Sequence, residues 1–189
     1  SARSGTLVHY SETHDNSRLA ANGGVPGQPA TPERRPWPLF RNSLAALTSI
    51  QGGFGFTAGL EWWPTEQINV HSSRGLAWGS PQSLVPELSA LNRLISNHPC
   101  FFDGASLQRI SEPPSKVYAL RRDSAEGLDR VLVLVNTEFE EERSIELDGA
   151  LWEELGQPTF DLVSHLPAPR WQELAPSPGH PSCRIQITL

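Results

Sequence analysis

Strand, loop, helix, strand is the order that the chain spells out before Phe101, and no other feature limits its fold as much. Leu7-Val8-His9-Tyr10 is a short apolar run of strand character. After Pro36-Trp37-Pro38, residues 39–50 place Phe40, Leu44 and Leu47 at helical spacing, with Gly52-Gly53 as the stop signal. Residues 54–60 then alternate large and small side chains with period two, which predicts a second strand. A strand joined to the next strand through a helix belongs in a parallel sheet. Ser83 is placed to cap a second helix over 84–97, where Pro86 falls in the first turn, Leu84, Leu88, Leu91 and Ile95 form one apolar stripe, and Pro99 follows the end.

From Phe101 onward the pattern changes to strands alone. The stretches 116–121, 131–136, 144–147, 160–163 and 183–189 are short, β-rich and divided by turn residues. The unbroken apolar run 131–135 predicts a central strand buried on both faces, and the acidic stretch 138–143 predicts a charged hairpin turn. The fold class is therefore α/β followed by all-β, with domains expected over 1–102 and 103–189.

Composition narrows the partners. A net charge of −6, a pI near 5.5 and Lys116 as the single lysine leave no basic face for phosphates, so nucleic acid is not an expected partner. No apolar run is long enough to span a bilayer and no signal pattern opens the chain, so a soluble, cytoplasmic protein without a membrane partner is expected. Cys100 and Cys183 are too few for a disulfide framework and are expected as buried free thiols. The sequence contains no Met and begins almost directly in a strand, which points to a piece of a longer chain.

The chemistry concentrates where the first strand ends. Ser11-Glu12-Thr13-His14-Asp15-Asn16-Ser17-Arg18 turns an apolar run into a cluster of acceptors, donors and charges. A carboxylate beside an imidazole at a rigid strand end suits a glycosidase, which needs hydrogen bonds to sugar hydroxyls and stabilisation of developing positive charge. Two other readings stay open on these residues alone: Asp15-Asn16-Ser17 as a turn whose side chains bond nearby backbone, and His9, Glu12, His14 and Asp15 as metal ligands. Glu61, Trp62 and Trp63 stand at the end of the second strand, and the two strand ends are expected on the same side. An indole can stack on a sugar ring or simply pack the rim.

This His-Asp strand end resembles the last of the short signature regions of the α-amylase family of glycoside hydrolases (family thirteen). Thr13 stands where that family commonly carries Asn. Leu76-Ala77-Trp78, His98-Pro99 and the β-rich tail with Asn136 at the end of a strand are similar to family elements in the same order. The resemblance implies the last two strand-helix units of a (β/α)₈ barrel followed by a C-terminal antiparallel β-sandwich. It implies that Asp15 is the carboxylate that stabilises the transition state and that His14 binds substrate, with Arg18 where many members carry an Arg and so expected beside the substrate; Trp62 and Trp63 are expected to add a stacking platform for the sugar. Its substrate would be an α-glucan or maltooligosaccharide, and neither cofactor nor metal is implied. A retaining enzyme also needs a nucleophile and a general acid about 5–5.5 Å apart, and no position in this chain receives either role. A full barrel takes about 250 residues, so its N-terminal part becomes an expected partner, and the chain alone is expected to be inactive. The alternative is a non-catalytic carbohydrate-binding or scaffold module. The glycine- and proline-rich stretch 20–32 is expected to form a loop at the rim.

Overall fold

The computed structural model describes residues 7–21, 36–49, 52–67, 71, 78–81, 83–138, 141–178 and 182–189. The expected rim loop, apart from residues 20 and 21, and Leu76-Ala77 lie outside them. The chain divides into two compact units, Ser1–Ile95 and Ser96–Leu189.

In the first unit, strand β1 (Leu7–His9) pairs in parallel with β2 (Gly52–Phe54), in the register Leu7 to Gly52, Val8 to Gly53 and His9 to Phe54. Parallel neighbours need a crossover, and helix α1 (Pro36–Leu47) lies between them in the chain. The glycines expected to stop α1 instead belong to β2. Hydroxyls end the helix earlier: Thr48 Oγ1 donates to the Leu44 carbonyl at 2.6 Å and Ser49 Oγ to the Ala46 carbonyl at 2.9 Å. The expected stripe of Phe40, Leu44 and Leu47 is only half-buried. Among the residues of α1 whose burial is described, Pro38, Asn42 and Ala46 are the deepest. Asn42 can be buried because Nδ2 donates to the Pro38 carbonyl and Oδ1 accepts from Ser11 Oγ, each at 2.7 Å.

Ladder pairing stops early in β2, so the second strand is shorter than its alternation predicts and begins two residues sooner. Beyond it, Gly55 N–H still donates to the His9 carbonyl at 3.1 Å, and then the Thr57 hydroxyl takes the Glu12 carbonyl at 2.6 Å. A 3-10 turn follows at Leu60–Trp62. Helix α2 (Val85–Asn97) starts within a residue of its expected position and buries Leu88 and Leu91, with Ile95 half-buried. Leu60, Leu84 and Leu88 form an apolar cluster with Leu39 and Phe56 against them. Val8 and Tyr10 remain 63% and 57% exposed, leaving part of a parallel pair uncovered where such sheets are normally covered on both faces.

The second unit begins with the end of α2, and a 3-10 turn at Pro99–Phe101 follows, whose first turn is capped by His98 Nδ1 accepting from Cys100 N–H at 3.3 Å. Two antiparallel sheets follow. One has the order β3 (Ser106–Arg109), β4 (Val117–Asp123), β5 (Arg130–Asn136); in the other, β6 (Ser144–Asp148) and β7 (Trp171–Leu174) flank β8 (Arg184–Thr188). Val117 and Ala119 from the first sheet share one core with Ile145, Leu147, Ile185 and Ile187 from the second. Burial of alternate apolar residues on both sheets is what holds them face to face.

Three expectations change here. Among the described residues β5 pairs only with β4, so β4 and not the 131–135 run is central. The 160–163 strand is a turn: Asp161 accepts from Val163 N–H and Ser164 Oγ, and only Phe160 makes a single bridge, to Pro167. The acidic 138–143 stretch is no hairpin, because β5 and β6 belong to different sheets. Helix α3 (Gly149–Glu154), capped by the Asp148 carboxylate on Ala150 N–H, is too short to announce itself by periodicity yet buries Trp152.

The crossover after β5 holds an ion cluster. Lys116 Nζ and Arg143 Nη2 each lie 2.5 Å from a carboxylate oxygen of Glu138. These bonds, first from Lys116 and then from Arg143, lower the Glu138 carboxyl from 4.5 to about 2. Because the folded value lies below the unfolded one, the stabilisation is complete above pH 4.5 and is lost as pH falls from 4.5 through about 2. A carbon-detected NMR titration is expected to find the Glu138 midpoint near 2. A midpoint at the ordinary value of a solvated glutamate would mean that neither cation engages it in solution.

Candidate functional site

The loop that leaves β1 carries the candidate chemistry at its tip. His14 and Asp15 form a turn, with His14 Nε2 3.2 Å from Asp15 Oδ1 and side chains 52% and 80% exposed. Asn16 Nδ2 donates to Thr13 Oγ1 at 2.7 Å across the same turn, so this Asn serves the local geometry while the Asp15 carboxylate faces the imidazole.

Beneath the tip the loop is held by a buried ion pair. Arg18 Nη2 lies 2.8 Å from Glu12 Oε1, with the two side chains 0% and 3% exposed. Glu12 Oε2 accepts from Leu19 N–H at 2.8 Å, and Arg18 Nη1 donates to the Ala58 carbonyl at 3.2 Å. A pair withdrawn this far from water is costly unless its other donors and acceptors are also engaged; both Glu12 oxygens and Arg18 Nη1 and Nη2 have partners, whereas Arg18 Nε is buried without a hydrogen-bond partner. Arg18, expected beside the substrate, is thus in the interior while His14 and Asp15 stand at the surface.

The neighbouring strand contributes from its own C-terminal side. Gln67 Nε2 donates to the Asp15 carbonyl at 2.8 Å and approaches the His14 carbonyl at 3.5 Å. The segment after β2 therefore meets the loop after β1 at one end of the parallel pair, as a parallel sheet dictates. Trp62 and Trp63 belong to that segment and are half-buried. Trp63 ends the 3-10 turn by donating N–H to the Leu60 carbonyl at 3.0 Å, with φ 56°. A bulky residue in the left-handed region costs about 1–2 kcal/mol, so the backbone at Trp63 is strained.

Glu12, Thr57 and Gln67 support the loop without belonging to the sugar-site residues that the sequence predicts. For Glu12 there was a signal, an acid and a base flanking a turn. Nothing in the sequence around Gln67 marks it. Glu12 is also unavailable as a metal ligand while it pairs with Arg18, and no cluster of three or more His, Cys, Asp or Glu suited to a metal occurs among the described residues. Burial raises the Cys100 thiol above its usual range, and a hydrogen bond to Glu173 does the same for half-buried Cys183, so both are held as thiols. Among the described residues no helix is long and apolar enough to cross a membrane.

Fold and site together define a class: a βα segment with an exposed His-Asp pair at a parallel strand end, in a chain that also carries a two-sheet antiparallel unit. No family model matches this sequence, and no curated protein does.

Proposed function

We propose that this chain is the C-terminal part of an α-amylase family retaining glycoside hydrolase or glucanotransferase acting on α-glucans or maltooligosaccharides. One observation carries the reading: the exposed His14-Asp15 pair is fastened through Gln67 to the segment after the adjacent parallel strand. In this reading Asp15 stabilises positive charge on the sugar and His14 binds a hydroxyl. Trp62 and Trp63 supply apolar faces for the ring. The uncovered Val8 and Tyr10 would meet the N-terminal part of the barrel, which supplies the nucleophile and the acid. We place the enzyme in the cytoplasm, where its thiols stay reduced.

Expressed with the coding sequence upstream of Ser1, the protein is expected to cleave or transfer maltooligosaccharides, and the 189-residue chain alone is not. Cleavage by the chain alone that is abolished by Asp15→Asn would overturn the proposal. So would an upstream sequence with no strand-end Asp and Glu. Glucan binding by the chain that survives Asp15→Ala but disappears when Trp62 and Trp63 are both replaced by Ala would identify a binding module instead.

A further inference from the structure

Arg18 sits at the end of the loop that presents the His-Asp pair, yet its side chain has no accessible surface. A substrate hydroxyl cannot reach a guanidinium in that position without opening the loop. One ion pair and three hydrogen bonds close the loop at its base. Arg18 pairs with one Glu12 oxygen, Leu19 N–H donates to the other, Arg18 Nη1 donates to the Ala58 carbonyl, and Thr57 Oγ1 donates to the Glu12 carbonyl. Residues 12 and 18 are thereby tied to each other and to residues 57 and 58 beyond β2. At the tip, Gln67 holds the Asp15 carbonyl.

We infer that Arg18 and Glu12 are positioning residues which close the His14-Asp15 loop onto the segment after β2, and that Arg18 makes no contact with substrate. The inference rests on the function proposed above for Asp15. A carboxylate 80% exposed on a turn has no packed side chains to fix it, so its placement depends on the backbone beneath. Moving a reacting or charge-stabilising group by about 1 Å is enough to lose about 10²-fold in rate.

Two variants of the upstream-extended enzyme separate positioning from contact. Arg18→Met leaves Glu12 buried and unpaired, and is expected to lower kcat by about 10²-fold with KM little changed. Adding Glu12→Gln removes the stranded charge and keeps an acceptor for Leu19 N–H, so most of the lost kcat is expected to return. If Arg18 touched substrate, Arg18→Met would raise KM, and Glu12→Gln would restore nothing; that pattern overturns the inference.

A second readout uses the 189-residue chain and needs no activity. By NMR, Arg18→Met is expected to speed hydrogen exchange at the Leu19 amide by roughly 10²-fold or more and to shift the His14 and Asp15 amide resonances, with both effects reversed in the double variant. Wild-type protection of Leu19 in Arg18→Met would overturn the loop-closing role. If Arg18→Met fails to fold, the comparison is made with Arg18→Lys, for which partial loss of protection is expected and full protection counts against the role. An extended wild-type enzyme inactive on maltooligosaccharides would overturn the proposed function while leaving this exchange result to stand or fall by itself.

Discussion

If the chain is the C-terminal part of a retaining glycosidase, as proposed, Asp15→Asn in the upstream-extended enzyme is expected to lower kcat by roughly 10²–10³-fold and to leave KM close to the wild-type value. Asparagine keeps the size of the side chain and one acceptor oxygen but removes the charge. What is lost is therefore the interaction that grows as the sugar acquires oxocarbenium character, not the contacts already present with bound substrate. The size of the effect depends on who covers Asp15. Two charges about 4 Å apart interact by about 1 kcal/mol in water and about 4 kcal/mol at an effective dielectric near 20. At 80% exposure Asp15 is on the weak side of that range. Only a bound sugar and the barrel wall opposite would move it to the strong side. Steady-state kinetics of the extended enzyme checks the first part. Affinity of the 189-residue chain for a maltooligosaccharide, measured by calorimetry, checks the second and is expected to be insensitive to the substitution. Loss of kcat/KM through KM alone would assign Asp15 to ordinary substrate binding.

Arg18→Leu destabilises the first unit by about 3–5 kcal/mol, the largest stability effect expected of a single replacement there. Leucine fills much of the space, so the penalty arises mainly from the Glu12 carboxylate, left 3% exposed without its cation. The pair itself contributes far less than its removal costs, because bringing both charges out of water offsets most of their attraction. The measurement is hydrogen exchange at Leu19 and in α1, which reports on the first unit separately from the second, as a chain with two compact units requires. A change within about 0.5 kcal/mol, typical of an unremarkable surface position, would mean that the pair is not formed in solution.

Several elements were legible from local pattern. The β1 strand, α2 within a residue at its start, and strands β4, β5, β6 and β8 within one or two residues all follow from apolar spacing and turn residues. Elements that depend on partners were not. Strands β3 and β7 are short and mostly exposed and exist by pairing with β4 and β8. Six-residue α3 is defined by the Asp148 cap and by the buried Trp152. The 131–135 run has the composition of a central strand, yet it has a described partner on one side only, because apolarity records burial of faces and not the number of neighbours.

The site divides in the same way. That His14 and Asp15 are adjacent, polar and beyond the end of a strand is a property of the sequence, since a chain reversal after an apolar run leaves such groups in water. Which charges remain in the solvent and which are withdrawn was decided by tertiary structure. Asp15 and Glu12 are both acids on one short loop, and one is 80% exposed while the other is 3% exposed. The difference comes from what each can reach: Glu12 meets a guanidinium and a backbone N–H in the interior, whereas the Asp15 carboxylate faces the imidazole of its exposed neighbour and stays in water.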